Sequence, residues 1–175
     1  VNRRPISAMS IPLVVSRPDF AIRPLADELD HAHELASWHH AQFGYLSPSV
    51  TLAQRIDRLV EGARSDELPK TWAAVADGRL LGSASLALHT IVHSHLSPWL
   101  SSVYVSPPYR RLRIGSALVR HVERAAVGRG FTQLYLFTPD REALYARLGW
   151  TLMEHAKYAS HRIAIMKRCL ALSPL

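Results

Sequence analysis

The chain has 175 residues, 48% of them hydrophobic and 20% charged, which fits one folded domain and not a disordered or multidomain protein. Its apolar runs are short, that from Ile11 to Val15 being an example, and none approaches the ~20 residues of a membrane-spanning helix. The 21 Lys and Arg residues against 14 acidic ones give a net charge of +7, suited to anionic partners, whether nucleic acid or a phosphorylated small molecule. The single cysteine, Cys169, rules out an internal disulfide and a thiolate metal cage.

Residues 1–18 read as a loosely ordered leader, 19–170 as the folded domain and 171–175 as a tail, with the cytoplasm as the default location. A strand is expected over 20–23, closed by Pro24. Asp27 then caps a helix carrying Leu29, Ala32, Leu35, Ala36 and Phe43, and Gly44 stops it. A second helix opens at Ser49 or Thr51, with Leu52, Ile56, Leu59, Val60 and Ala63 at a 3.6-residue period. Two extended runs, 71–76 and 80–88, flank Asp77-Gly78, a dipeptide suited to the positive φ angles of a tight hairpin, so they should pair antiparallel.

A loop containing His89, His93 and His95 follows. The segment 99–105 alternates as a strand and Pro107-Pro108 ends it. Helical spacing resumes with Ile114, Ala117, Leu118, Val122 and Ala125, and Gly128 or Gly130 supplies the stop. The remaining elements are a strand over 133–137, a helix over 141–148 capped by Asp140 and ended by Gly149, and two strands over 150–158 and 161–168.

The chemistry concentrates in one strand-turn-helix stretch: Val103-Tyr104-Val105, Ser106-Pro107-Pro108-Tyr109, then Arg110-Arg111-Leu112-Arg113-Ile114-Gly115-Ser116. A helix that starts directly after a strand aims unpaired N–H groups, and the positive end of its dipole, at the strand's end. Gly115 allows close backbone approach there, and three arginines add positive charge. The outline is that of a phosphate site. Neither G-x-x-x-x-G-K-[ST] nor G-x-G-x-x-G is present, which sets aside the common nucleotide loops.

The spacing Arg110-x-x-Arg113-x-Gly115 resembles the [QR]-x-x-G-x-[GA] acetyl-CoA motif of the GNAT superfamily of N-acetyltransferases, with Arg113 standing where that family usually has glycine. A second stretch, Leu144-Tyr145-Ala146-Arg147-Leu148-Gly149-Trp150, resembles the family's later motif, a Tyr on a short helix before a Gly-aromatic pair. The resemblance implies an α/β (α+β) fold. It would be a single GNAT-like domain with a mixed, mostly antiparallel sheet of six to seven strands, flanked by about four helices, strands four and five splaying apart. It implies acetyl-CoA as co-substrate, with its pyrophosphate on the backbone of residues 111–116 and its pantetheine arm along Val103, Tyr104 and Val105. It also implies direct transfer of the acetyl group to a primary amine, with Tyr145 as general acid.

No base stands out, and His89 is the tentative choice because histidine titrates near neutrality. Trp38, His39, Phe43 and Tyr45 are expected walls of the acceptor pocket, no metal is expected, and a homodimer is an assembly open to the chain. Two alternatives compete: a non-catalytic acyl-CoA sensor or scaffold, prompted by Arg113, and a nucleic-acid-binding module. The latter ranks last, because the aromatics do not cluster with the arginines.

Overall fold

The computed structural model describes residues 18–170, so 1–17 of the expected leader and the tail 171–175 lie outside the described residues. Seven strands form one sheet in the order β1-β2-β3-β4-β5-β7-β6. They are β1 (Ala21–Pro24), β2 (Lys70–Ala76), β3 (Arg79–Ala87), β4 (Trp99–Val105), β5 (Gln133–Thr138), β6 (Thr151–Tyr158) and β7 (His161–Cys169). Helices α1 (Ala32–Phe43), α2 (Leu52–Arg64), α3 (Ile114–Gly128) and α4 (Glu142–Arg147) cover its faces. All neighbouring strands pair antiparallel except β4 and β5.

Those two are parallel and share one ladder pair, Trp99 with Tyr135. Beyond it they diverge, so the expected splay is present and the carboxyl ends of β4 and β5 open into a cleft. The hairpin turn also forms as expected, with φ of 49° at Asp77 and 70° at Gly78. Thr51 caps α2 through a reciprocal pair: Gln54 N–H donates to Thr51 Oγ1 and Thr51 N–H to Gln54 Oε1.

Neither expected aspartate cap forms. After β1 the chain makes two single 3-10 turns, Leu25–Asp27 and Leu29–His31, and α1 begins at Ala32 with no side-chain cap. Leu25 is fully buried under this segment; seating it bends the chain and delays the helix past Asp27. At α4, Thr138 Oγ1, not Asp140, accepts from the Arg141 N–H at 2.9 Å. Gly44 ends α1 as expected, though with φ of −57°, and the chain runs on into a 3-10 turn, Gly44–Leu46.

The largest apolar cluster joins Leu81, Leu86, Ile114, Leu118, Val122, Leu134, Leu136 and Met166 and seats α3 and α4 on one face of the sheet. A second joins Leu25, Leu35, Ala63, Ala73 and Leu80 beneath α1 and α2. Burial of each large aliphatic side chain contributes on the order of 2 kcal/mol, so these clusters fix the helices on either side of the cleft. No helix among the described residues is long and apolar enough to cross a membrane.

Candidate active site

The β4–α3 turn is held by its side chains while its backbone faces outward. Tyr109 and Leu112 pack on the large cluster and Ile114 is buried in it. A 3-10 turn, Pro107–Tyr109, reverses the chain, and Arg111 and Arg113 then take left-handed conformations with φ of 64° and 62°. Arg113 is the N-cap of α3 and provides no side-chain cap. None of the six backbone N–H groups of residues 111–116 donates a hydrogen bond among the described residues, so they are available to an anion at the positive end of a 15-residue helix. The exposed side chains of Arg111 and Arg113 stand beside them.

Gly115 is not required by the fold. A Cβ there would meet only Val105 Cγ2, at 3.5 Å, an ordinary contact. Gly82 is the contrary case: a Cβ on it would lie 2.4 Å from the Tyr104 carbonyl oxygen, so β3 can pass β4 here only as glycine.

Ser106 N–H donates to Leu81 O at 2.9 Å and Val105 lies opposite Gly82. By the alternation of an antiparallel ladder, Val105 turns its own N–H and C=O away from β3, into the cleft. Its carbonyl accepts from Arg110 Nε at 3.0 Å, and the Arg110 guanidinium lies 5.8 Å from the Tyr104 ring centre. Arg110 is thus folded back on β4, whereas Arg111 and Arg113 stand free of it.

Tyr145 lies in the large cluster, its ring edge-on to Trp150 with centroids 6.2 Å apart. Tyr145 Oη makes no hydrogen bond, yet no fully buried side-chain oxygen among the described residues lacks a partner; the ring is buried and its hydroxyl tip is accessible. Burial, and then the Asp140 carboxylate, push its pKa up to about 12, keeping the hydroxyl protonated at neutral pH. Gly149, with φ of 89°, ends α4 in a Schellman turn in which Trp150 N–H donates to Tyr145 O at 3.0 Å. Glu123 accepts from Trp150 Nε1 at 3.0 Å, and Arg168 donates to Gly149 O at 2.7 Å, so α3 and β7 both hold the tyrosine's helix in place.

On the opposite side of β4, Trp38 packs on Tyr104 with centroids 5.3 Å apart. Tyr45, 45% exposed, sits edge-on to His161, the first residue of β7, at 4.8 Å. Burial, and then Asp140, raise the Tyr45 pKa as well, so the β5–α4 loop lies within electrostatic reach of both tyrosines.

His39 is not a pocket wall. It is 6% exposed, packs against Phe43 and bonds to Ser83 Oγ at 2.9 Å. Burial, followed by the Arg55 charge, lowers its pKa to about 4. His89 stands apart from the other candidates, exposed beyond the end of β3. Since Ala87 pairs with Trp99, His89 is at the end of β4 remote from Val105, on the order of 20 Å away at ~3.3 Å per residue. His93 in the same loop pairs with Glu154 at 2.5 Å and stacks on His95, and no group of three or more His, Cys, Asp or Glu among the described residues is placed to hold a metal.

Sequence reasoning passed over Ser83, Ser102 and His161. The one signal for the first is the run Gly82-Ser83-Ala84-Ser85, unusually small for a central strand. A cavity of 420 Å³ lined by Asp19, Arg23, Glu28 and Asp77 lies at the β1–β2 edge of the sheet and touches none of these elements. A second, of 380 Å³, is lined by Thr138, Asp140, Glu142, His155 and Arg162, next to α4.

Among solved structures, the chain is similar to an aminoglycoside 6'-N-acetyltransferase complexed with coenzyme A, with TM-score 0.68, 16% identity, and 89% of this chain and 99% of that one covered. It is also similar to a spermidine N-acetyltransferase from Vibrio cholerae in complex with CoA and spermine, with TM-score 0.67, 15% identity and coverage of 86% and 95%. A PaiA N-acetyltransferase from Thermoplasma acidophilum in complex with coenzyme A gives TM-score 0.63, 18% identity and coverage of 86% and 99%. No curated protein matches by sequence. The family model for GNAT acetyltransferases matches residues 32–150, from the start of α1 through the Gly149-Trp150 pair and so more than half of the chain, and the chain belongs to that family.

Proposed function

We propose that the chain is an N-acetyltransferase that moves an acetyl group from acetyl-CoA directly to a primary amine, and that residues 19–170 are its catalytic domain. The observation that carries this is the set of six N–H groups at 111–116 that donate to nothing among the described residues, beside two exposed arginines and at the mouth of the β4–β5 splay. Those amides suit a pyrophosphate, and the open edge of β4 suits an extended amide-bearing arm, which would take the place of a neighbouring strand. Neighbours of the same fold were crystallised with coenzyme A.

Acetyl-CoA supplies the activated acyl carbon. On the protein's side, the cleft-facing N–H of Val105 is placed to donate to a carbonyl oxygen gaining negative charge. Tyr145 enters protonated and its accessible hydroxyl donates toward the departing sulfur. The burial that raises its pKa also raises the proton affinity of a thiolate beside it, so the donation is not penalised by the shift. Trp38, Tyr45 and His161 border the side from which an acceptor would approach. His89 is too far along β4 to take the amine's proton, and neutral, buried His39 is too weak a base to do so.

The test is a thiol-release screen with acetyl-CoA over aminoglycosides, polyamines, amino acids and peptide N-termini. Release that depends on one amine class, with the acetylated amine found by mass spectrometry, is the expected result. Binding of acetyl-CoA without release for any class would replace the reading with that of an acyl-CoA sensor.

A further inference from the structure

We propose that His39 and Ser83 are positioning residues that hold the β4 bulge at Ser102, and through it the amide edge that receives the thioester carbonyl. This rests on the acetyl-CoA reading of the cleft.

Between the pairs Ser85–Ser101 and Ser83–Tyr104, β3 has one residue and β4 has two, so Ser102 is an extra residue in the strand. Its φ is 51°, a conformation that a serine does not hold unassisted. The assistance comes from two fully internal groups. Ser83, 0% exposed, donates its hydroxyl proton to Ser102 O at 3.3 Å. That hydroxyl has one proton and a carbonyl can only accept, so the 2.9 Å bond between Ser83 Oγ and His39 Nε2 is donated by the ring. The two bonds together place a proton on His39 Nε2.

The chain of bonds runs from α1, through β3, to a carbonyl that the irregular part of β4 leaves outside the ladder. Trp38, one residue earlier on α1, packs on Tyr104, so the helix grips β4 on both sides of Val103. Loss of the serine would free the Ser102 peptide to rotate, and the N–H groups that follow it would turn with it.

Three variants test this with the best acceptor from the thiol-release screen. Ser83→Ala and His39→Leu should lower kcat about ten- to a hundredfold, since the donor would be misaimed and not deleted, with KM for acetyl-CoA changing less than about threefold. His39→Gln, which can still donate to Ser83, should recover most of kcat. By calorimetry, Ser83→Ala should bind CoA as the wild type does and lose any preference for acetyl-CoA over CoA. Ala63→Gly, in the cluster under α1 and α2, is the control for instability alone and should leave kcat unchanged when measured below its Tm.

Retention of kcat by Ser83→Ala overturns the assignment, as does a parallel fall in kcat and CoA affinity matched by Ala63→Gly. If His39→Leu fails to fold, Ser83→Ala decides alone. A wild type that binds neither CoA nor acetyl-CoA brings down the acetyl-CoA reading and this one with it, whereas normal binding with an unaffected Ser83→Ala removes only the brace.

Discussion

The two sides of β4 treat their polar groups in opposite ways. On the side of the α3 turn, six successive amides have no partner among the described residues and two arginines hold left-handed backbone. On the side of α1, a buried imidazole, a buried hydroxyl and an out-of-register carbonyl are linked in one chain of bonds. Unspent donors on an ordered backbone are what a ligand can use, whereas satisfied buried groups fix geometry. Under the proposed function, the first side binds the cofactor and the second holds the reacting edge still.

The comparison breaks most sharply at Gly115. A Glu there has room, because a Cβ meets only Val105 at 3.5 Å, and a carboxylate in the first turn of a helix does not harm stability. It would, however, place a negative charge among the idle amides. Gly115→Glu should therefore keep the wild-type Tm and weaken CoA binding by about a hundredfold or more, a factor of 10 per ~1.4 kcal/mol of lost anion contacts, as read by calorimetry. Gly115→Ala should bind within a few-fold of the wild type.

The next largest effect concerns the acid. Tyr145→Phe removes an accessible hydroxyl and keeps the buried ring, so kcat should fall on the order of tenfold or more with acetyl-CoA affinity little changed. Steady-state kinetics beside a binding isotherm would show the split.

His39 gives the satisfied side a pH signature. The unfolded chain takes up its proton near pH 6.5 and the folded chain only near 4, so the unfolded state gains protons first as the pH falls. Stability should then drop by roughly 2 to 3 kcal/mol between pH 6.5 and pH 4 from this group. Urea denaturation at pH 7 and pH 4.5 should show that drop, and His39→Gln should show less of it.

The smallest expected effect sharpens the other side. Arg113 holds φ of 62° with a Cβ, at a cost of about 1 kcal/mol that glycine would not bear. Arg113→Gly should raise Tm by about 2 to 4 °C and weaken CoA binding at low salt, where the lost guanidinium counts most.

Much of the fold was legible in the sequence because its signals are local. Asp77-Gly78 sets a hairpin by its own φ preferences, Thr51 and Gln54 cap α2 within one turn, and the motif from Arg110 to Gly115 lies on contiguous chain. Arg113 was visible as a departure, but its left-handed backbone was not. The Asp27 and Asp140 caps failed because tertiary packing of Leu25 and the nearer hydroxyl of Thr138 prevailed over propensity. The acceptor side was least legible: the His39–Ser83 bond spans 44 residues, the clearance that demands Gly82 depends on a neighbouring strand, and Tyr45 meets His161 only because the sheet brings the start of β7 there. Contacts of that kind carry no periodicity or spacing to read.

The central claim is that the idle amides of the α3 turn hold coenzyme A. Titration of the isotopically labelled protein with CoA, followed by amide proton and nitrogen chemical shifts, tests it most directly. The largest shifts should fall on residues 111–116 and Val105, with Asp77 and Gly78 of the β2–β3 turn unmoved. Shifts centred elsewhere, or none at millimolar CoA, would contradict it.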